Sequence, residues 1–415
     1  MKIFINAYAC SPGMGSEPGM AWNWCVNLAK YCELYIITEG EFQDKIETAL
    51  ASLPQGGDMH FYYNPVSDRV RKMCWNQGDW RFYKYYREWQ LKTADIAREI
   101  CRREQIDILH QLNMIGFREP GYLWKVSQET GIPFVWGPIG GLKQFPINYA
   151  DTGGLKMRLF LALKNRINIW QLKNSSRVDK AFRQASLLIS SIPDSYRAIK
   201  KYKHLESVVI PETGTNIPYF NGQCHFDSEI FTILWVGKFD FRKRLDLAIK
   251  IMKHVEGVYA SVVLKVLGTG SERQIEEVKK LASVLGVKNV EWKGNLPHDD
   301  VQREMRHAHL FLFTSVSEDT SSVVLEAVSN NLPVICFDTC GMSAVIDEKV
   351  GIKIPLTTPQ QSVKDFADKI TYLYEHRDVL KQMSENCAER AEELSWDNKA
   401  RQVVELYEKA VRKRV

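Results

Sequence analysis

Short runs of β-branched and apolar residues alternate with longer stretches of helical periodicity along almost the whole chain. In the first half, strands are predicted at 3–8, 34–38, 60–63, 106–110, 133–137, 187–190 and 208–210, with amphipathic helices at 21–31 and 82–103 between them. A second series follows, with strands at 231–236, 262–267, 290–292, 310–314 and 333–337 and helices at 244–254, 272–285 and 322–330. The strands read as continuous apolar runs, as strands do in parallel sheets covered on both faces. Alternation of strand and helix makes the class α/β. Two series imply two doubly wound, Rossmann-like domains. Pro, Gly and Asn are concentrated at 211–223 and mark the boundary. The expected division is 1–210, a linker over 211–229, a second domain over 230–394 and a final helix over 395–415 with Ser395 as its N-cap.

The 415 residues are 45% apolar and 25% charged, which excludes a disordered or low-complexity chain. No run reaches the ~18 apolar residues of a membrane span. The start reads as a buried strand meeting a loop, not a secretory signal. Nine cysteines, at irregular spacing and without a CxxC, fit reduced thiols in a cytoplasmic protein. The net charge is +5, but residues 1–210 hold 28 Lys and Arg against 20 Asp and Glu, and residues 211–415 hold 27 against 30. That asymmetry implies an anionic partner for the first domain only.

Ligands of open parallel sheets bind beyond the carboxyl ends of the strands, so the cleft between two such domains is the expected site. The first strand-to-helix loop, C-S-P-G-M-G-S-E-P-G at 10–19, carries Gly13, Gly15 and Gly19. Amides at the helix start would suit a phosphate, although a plain strand–helix turn reads equally well. The loop G-K-F-D-F-R-K-R-L-D at 237–246 sets Lys238, Arg242, Lys243 and Arg244 at the mouth of a strand. Solvated surface charge is the alternative to phosphate contact there. In S-E-D-T-S-S-V-V-L-E-A at 317–327, Glu318 lies in a loop and Glu326 inside the following helix, which Thr320, Ser321 and Ser322 would cap. Carboxylates beside a bound anion would accept hydrogen bonds from sugar or ribose hydroxyls. His110 ends a strand, where a satisfied core residue competes with a functional one. His307 and His309 lack a third ligand, and no Asp-x-Asp occurs, so no metal site is expected.

Taken together, G-K-x4-K at 237–243, E-x7-E at 318–326, His110 and the glycine-rich first loop resemble family 4 retaining glycosyltransferases, which have the GT-B fold. The stretches H-Q-L-N-M-I-G-F-R-E-P-G-Y-L-W-K (110–125) and V-W-G-P-I-G-G (135–141) resemble a bacterial subgroup acting in envelope or exopolysaccharide synthesis. The resemblance extends to 394–396, before a helix that in such proteins packs back on the first domain. It implies that Lys243 meets the donor diphosphate, Glu318 the hydroxyls of the donor sugar, and Glu326 the ribose. His110 would lie near the reacting sugar, and Gly13, Gly15, Gly268, Asn295, Thr320, Ser321, Ser322 and Val323 would line the donor site. Lys238 stands where the family has Arg, and Asp319, Thr320 and Ser321 replace its glycines. The implied donor is a UDP- or GDP-sugar, used without metal or other cofactor.

The acceptor side is read from two further stretches. Residues 75–89 interleave seven aromatics with Arg81, Lys84 and Arg87, and residues 156–173 are basic and apolar at helical spacing. Core-packing helices are one reading; an anionic membrane surface is the other. No nucleic-acid motif accompanies them. The expected function is transfer of a sugar to a glycan or lipid-linked hydroxyl in polysaccharide or lipopolysaccharide synthesis, at the inner face of the membrane. The alternatives are a GT-B-shaped epimerase or hydrolase of nucleotide sugars, and a non-catalytic glycan- or nucleotide-binding subunit. A nicotinamide dehydrogenase is disfavoured because neither domain opens with GxGxxG.

Overall fold

The computed structural model describes residues 1–76, 79–216, 226 and 228–412, which fall into two compact units. In the first, β1 (Lys2–Ala7), β2 (Glu33–Thr38), β3 (Met59–Tyr63), β4 (Ile108–Asn113), β5 (Phe134–Ile139), β6 (Ala185–Ser190) and β7 (Val208–Val209) form one parallel sheet. Its order is β3-β2-β1-β4-β5-β6-β7. Every residue of β4 and β5 is buried, as a sheet covered on both faces requires. The polar members of β4 survive burial by pairing: Asn6 Nδ2 on β1 donates to Gln111 Oε1 at 3.0 Å and to Gln90 Oε1 at 2.7 Å.

The second unit contains β8 (Phe231–Val236), β9 (Val262–Leu267), β10 (Val290–Gly294), β11 (Leu310–Phe313), β12 (Val334–Phe337) and β13 (Gly351–Ile354). The order is β10-β9-β8-β11-β12-β13, again all parallel. Two doubly wound sheets are what the alternation of strands and helices implies. The strand order reverses between β8 and β11, the switch point at whose carboxyl edge ligands of such sheets bind. The edge strand β13 is not legible as a strand in advance, being four residues long with Lys353 among them.

The units differ from the expected division in one respect: residues 143–166 belong to the second unit. Phe145, Tyr149 and Leu161 are buried in the core that contains Phe231, Ile233 and Trp235, and the Tyr149 hydroxyl lies 2.6 Å from Ser362 Oγ. The helix Trp396–Arg412 counts with the first unit, where Trp396, Val403 and Tyr407 join a core with Ile3, Ile5 and Leu34. Most of the expected linker over 211–229, including Cys224, lies outside the described residues. Among the described residues, none of the other eight cysteines is in a disulfide.

Candidate functional site

Lys238 and Lys243 lie in the loop after β8, and Glu318 in the loop after β11. Hydrogen bonds stitch the two loops together. The Val316 amide donates to the Arg242 carbonyl at 2.9 Å, and Thr314 Oγ1 to the Lys243 carbonyl at 2.7 Å. Thr314 Oγ1 also accepts from Trp235 Nε1 at 3.0 Å. This brings Lys243 Nζ to 2.5 Å from Glu318 Oε1, with the two side chains 14% and 15% exposed. The Phe313 ring lies 5.0 Å from the ammonium. A mostly covered ion pair at the rim of a sheet acts on a ligand through a dielectric well below that of water. Lys238 is exposed.

The other two cations of this loop are engaged elsewhere. Arg244, with φ +51°, is fully buried; its Nε donates to Asp246 Oδ1 at 2.8 Å and its Nη1 to the Tyr149 carbonyl at 2.8 Å. Burial pushes the Asp246 carboxyl up, but the hydrogen bond and charge of Arg244 outweigh it and leave the group below its ordinary range. Arg242 pairs with Asp240 at 3.0 Å.

Two further loops complete the edge. Gly268 follows β9 at φ +128°, and a Cβ there would lie 1.8 Å from the Gly237 carbonyl oxygen. Only glycine permits this approach of the two loops. Asn295 is exposed immediately after β10.

The helix Ser322–Ser329 also starts here. Ser321 occupies the N-cap position, yet its side chain makes no capping bond, contrary to the expectation for that residue. No acidic residue stands in the first turn, so no carboxylate of that turn offsets the partial positive charge of the helix start. Val323 is half-buried. Where glycines were expected, Asp319 and Thr320 are packed from the opposite side by Gly341. The Gly341 amide donates to the Asp319 carbonyl at 3.1 Å, and a Cβ on Gly341 would come within 2.3 Å of Thr320 Oγ1. Lys143 Nζ holds Asp319 Oδ1 at 3.1 Å.

Glu326 Oε2 accepts from Gln302 Nε2 at 2.9 Å, and His298 Nε2 lies 3.7 Å away. Gln302 Oε1 accepts from Asn330 Nδ2 at 2.6 Å, which fixes the amide with its nitrogen towards Glu326. The sequence reading missed Gln302 and His298. Their helix, His298–His307, was nevertheless legible: Pro297 precedes it, Asp299 and Asp300 open it, and Arg306 and His307 close it.

The remaining expected residues lie in the first unit. Gly13, at φ +68°, and Gly15 are exposed, with nothing within 4 Å of a notional Cβ. The helix they precede, Ser16–Leu28, carries Glu17 in its first turn, and that charge opposes an anion at this start. His110 lies within β4 and not at its end, which corrects the expected strand-end position. It is fully buried, with Nε2 at 2.7 Å from the Gly137 carbonyl and Nδ1 at 2.5 Å from the Tyr407 hydroxyl. Nε2 therefore carries the proton and Nδ1 accepts one, leaving neither nitrogen for a substrate. Burial drives the imidazole pKa down to about 4, so the ring is neutral near pH 7. The Tyr407 contact ties β4 to the helix Trp396–Arg412.

Among the described residues, no group of three or more His, Cys, Asp or Glu is placed to hold a metal ion. His309 Nδ1 accepts from the Thr232 amide at 3.0 Å, and His307 Nδ1 lies 2.7 Å from the Arg303 carbonyl.

Residues 223–393 match the family model described as glycosyl transferases group 1. The chain is 24% identical over 229 residues to the GtfA subunit of UDP-N-acetylglucosamine–peptide N-acetylglucosaminyltransferase from Streptococcus agalactiae, covering 53% of this chain and 43% of that protein. It is 25% identical over 284 residues to one subunit of phosphatidylinositol N-acetylglucosaminyltransferase from Arabidopsis thaliana, covering 68% of this chain and 58% of that protein. The chain thus spans about half the length of these curated relatives. Anabaena Alr3699/HepE in complex with UDP superposes with a TM-score of 0.61 at 14% identity, covering 99% of this chain and 100% of that one. The likeness to the glycosyl transferases group 1 family is thus confined to residues 223–393, while the two parallel sheets together carry the GT-B fold.

Proposed function

We propose that this protein is a retaining glycosyltransferase, taking a sugar from a nucleotide-diphosphate donor such as a UDP- or GDP-sugar and passing it to a hydroxyl of a glycan or lipid-linked acceptor, without a metal ion. The observation that carries the reading is the Lys243–Glu318 pair at 2.5 Å, set beside a helix start with no acid in its first turn. A cation, a row of amides and a hydroxyl-accepting carboxylate at one sheet edge are complementary to a glycosyl diphosphate. The family match over 223–393 and the UDP bound to a structural neighbour support the same assignment.

In this reading Lys243, Lys238 and the amides of residues 321–323 neutralise the charge that grows on the departing diphosphate. Glu318 accepts hydrogen bonds from the donor sugar, and Glu326, oriented by Gln302, accepts them from the ribose. The acceptor oxygen bonds to the anomeric carbon on the face from which the phosphate oxygen departs, and the acceptor proton passes to that phosphate. No protein nucleophile is needed, and the anomeric configuration is kept. Polysaccharide or lipopolysaccharide assembly at the inner face of an anionic membrane is the proposed setting.

The test is product analysis by NMR with UDP- and GDP-sugars, with and without acceptor glycans, in EDTA. Acceptor-dependent release of nucleoside diphosphate with retained configuration is expected. Inverted product, loss of turnover in EDTA, or equal turnover without acceptor would overturn the proposal; the last outcome indicates a hydrolase or epimerase.

A further inference from the structure

We propose that the helix Gly154–Asn174 lies in the plane of an anionic lipid surface and docks the protein there. This helix is apolar on two opposite faces. At 100° per residue, Leu161, Asn168 and Leu172 fall on one side and are buried. Leu155, Leu159, Leu163, Ile167 and Trp170 fall within one third of the circumference on the other side, exposed by 71, 62, 57, 43 and 65%. At the same spacing Lys156, Arg166 and Lys173 fall within that exposed sector, so the outer face mixes cations with large apolar side chains.

The charge on the helix selects what covers it. Its 21 residues contain Lys156, Arg158, Lys164, Arg166 and Lys173, all exposed, and no acidic residue. Among the described residues none of these five cations has a carboxylate within 4 Å. Cations without a carboxylate partner, set among and beside large apolar side chains, match a layer with anionic headgroups over acyl chains, where the long Lys and Arg stems reach the headgroups and Trp170 would sit at the boundary. The aromatic stretch at 75–89 exposes Trp75, Trp80 and Tyr83 but is otherwise engaged within the fold. Its Phe82, Tyr86 and Trp89 are buried, and its Arg81 and Arg87 are paired with Asp79 and Glu119. Five charges in 21 residues preclude a spanning orientation, and no helix among the described residues is long and apolar enough to cross a membrane.

The inference deepens the proposal of a lipid-linked acceptor and rests on that reading for its purpose; because lipid binding is read without turnover, the two can fail separately. The experiment is co-sedimentation of the full chain with vesicles of phosphatidylcholine alone or with about one third phosphatidylglycerol, at low and high salt. The wild type is compared with Leu159→Ser/Trp170→Ser and with Lys164→Glu/Arg166→Glu. Binding only to the anionic vesicles, weakened about tenfold or more by either double variant and by salt, is the expected result. Unchanged melting temperatures establish that these exposed substitutions leave the fold intact. Absence of binding, binding indifferent to both double variants, or a dimer in sedimentation that Leu159→Ser/Trp170→Ser dissolves would overturn the proposal, the last because a second copy then covers the face.

Discussion

An ammonium held 2.5 Å from a carboxylate can serve a phosphate only if the carboxylate has its own task. The proposed site gives Glu318 the sugar hydroxyls, so Lys243 bridges the two ligand moieties. Lys243→Ala is expected to lower kcat by about 10²–10³ without lowering the melting temperature, measured by nucleoside diphosphate release. Arg244, one position on, should behave oppositely. Removing a fully buried guanidinium leaves Asp246 with Lys250 alone and takes the donor from the Tyr149 carbonyl, and Arg244→Met should cost about 3 kcal/mol in denaturant unfolding. The sequence does not separate these neighbours, because both are cations in one loop and only the positive φ turns one of them inward. His110 is a second case. Its folded pKa of about 4 lies below the unfolded value of about 6.5. The stability it confers is therefore complete above about pH 6.5 and lost as pH falls towards 4, roughly 3 kcal/mol in all. Unfolding midpoints against pH should show that slope in the wild type and lack it in His110→Gln. The chain reads His110 as the end of a strand, but β4 runs on to Asn113, and no local signal announces the Tyr407 hydroxyl, 297 residues away.

At the scale of elements, apolar runs and helical periodicity locate β8 and β9, as well as the helices Phe82–Arg103 and Glu272–Leu285, to the residue. Burial on both faces of a parallel sheet leaves little room for ambiguity there. Legibility fades where tertiary contacts decide, as with the edge strand β13 and the residues that support Glu326. Gln302 reaches Glu326 from a separate helix, and no local spacing encodes that contact. Gln302→Ala is expected to raise the KM for the donor several-fold with little change in kcat, since it frees a carboxylate from its preferred orientation without removing it. Gly268 joins two strand-end loops by backbone contact. Gly268→Ala must displace the Gly237 carbonyl, and should both lower the melting temperature and weaken nucleotide binding.

For the molecule as a whole, the alternating series implies two doubly wound sheets, and the structure contains them. The assignment of 143–166 was not legible, because its basic charge points to the first half of the chain while its anchors, Phe145, Tyr149 and Leu161, are buried in the second unit. The central claim is that the second unit neutralises a pyrophosphoryl group with Lys243 and helix amides. Isothermal titration calorimetry of UDP, GDP and ADP in EDTA, on the wild type and on Lys243→Ala, tests it most directly. The account predicts saturable heat from at least one of these nucleotides, weakened at least about tenfold by the substitution. Equal affinity in the two proteins, or no heat from any of the three, would contradict it.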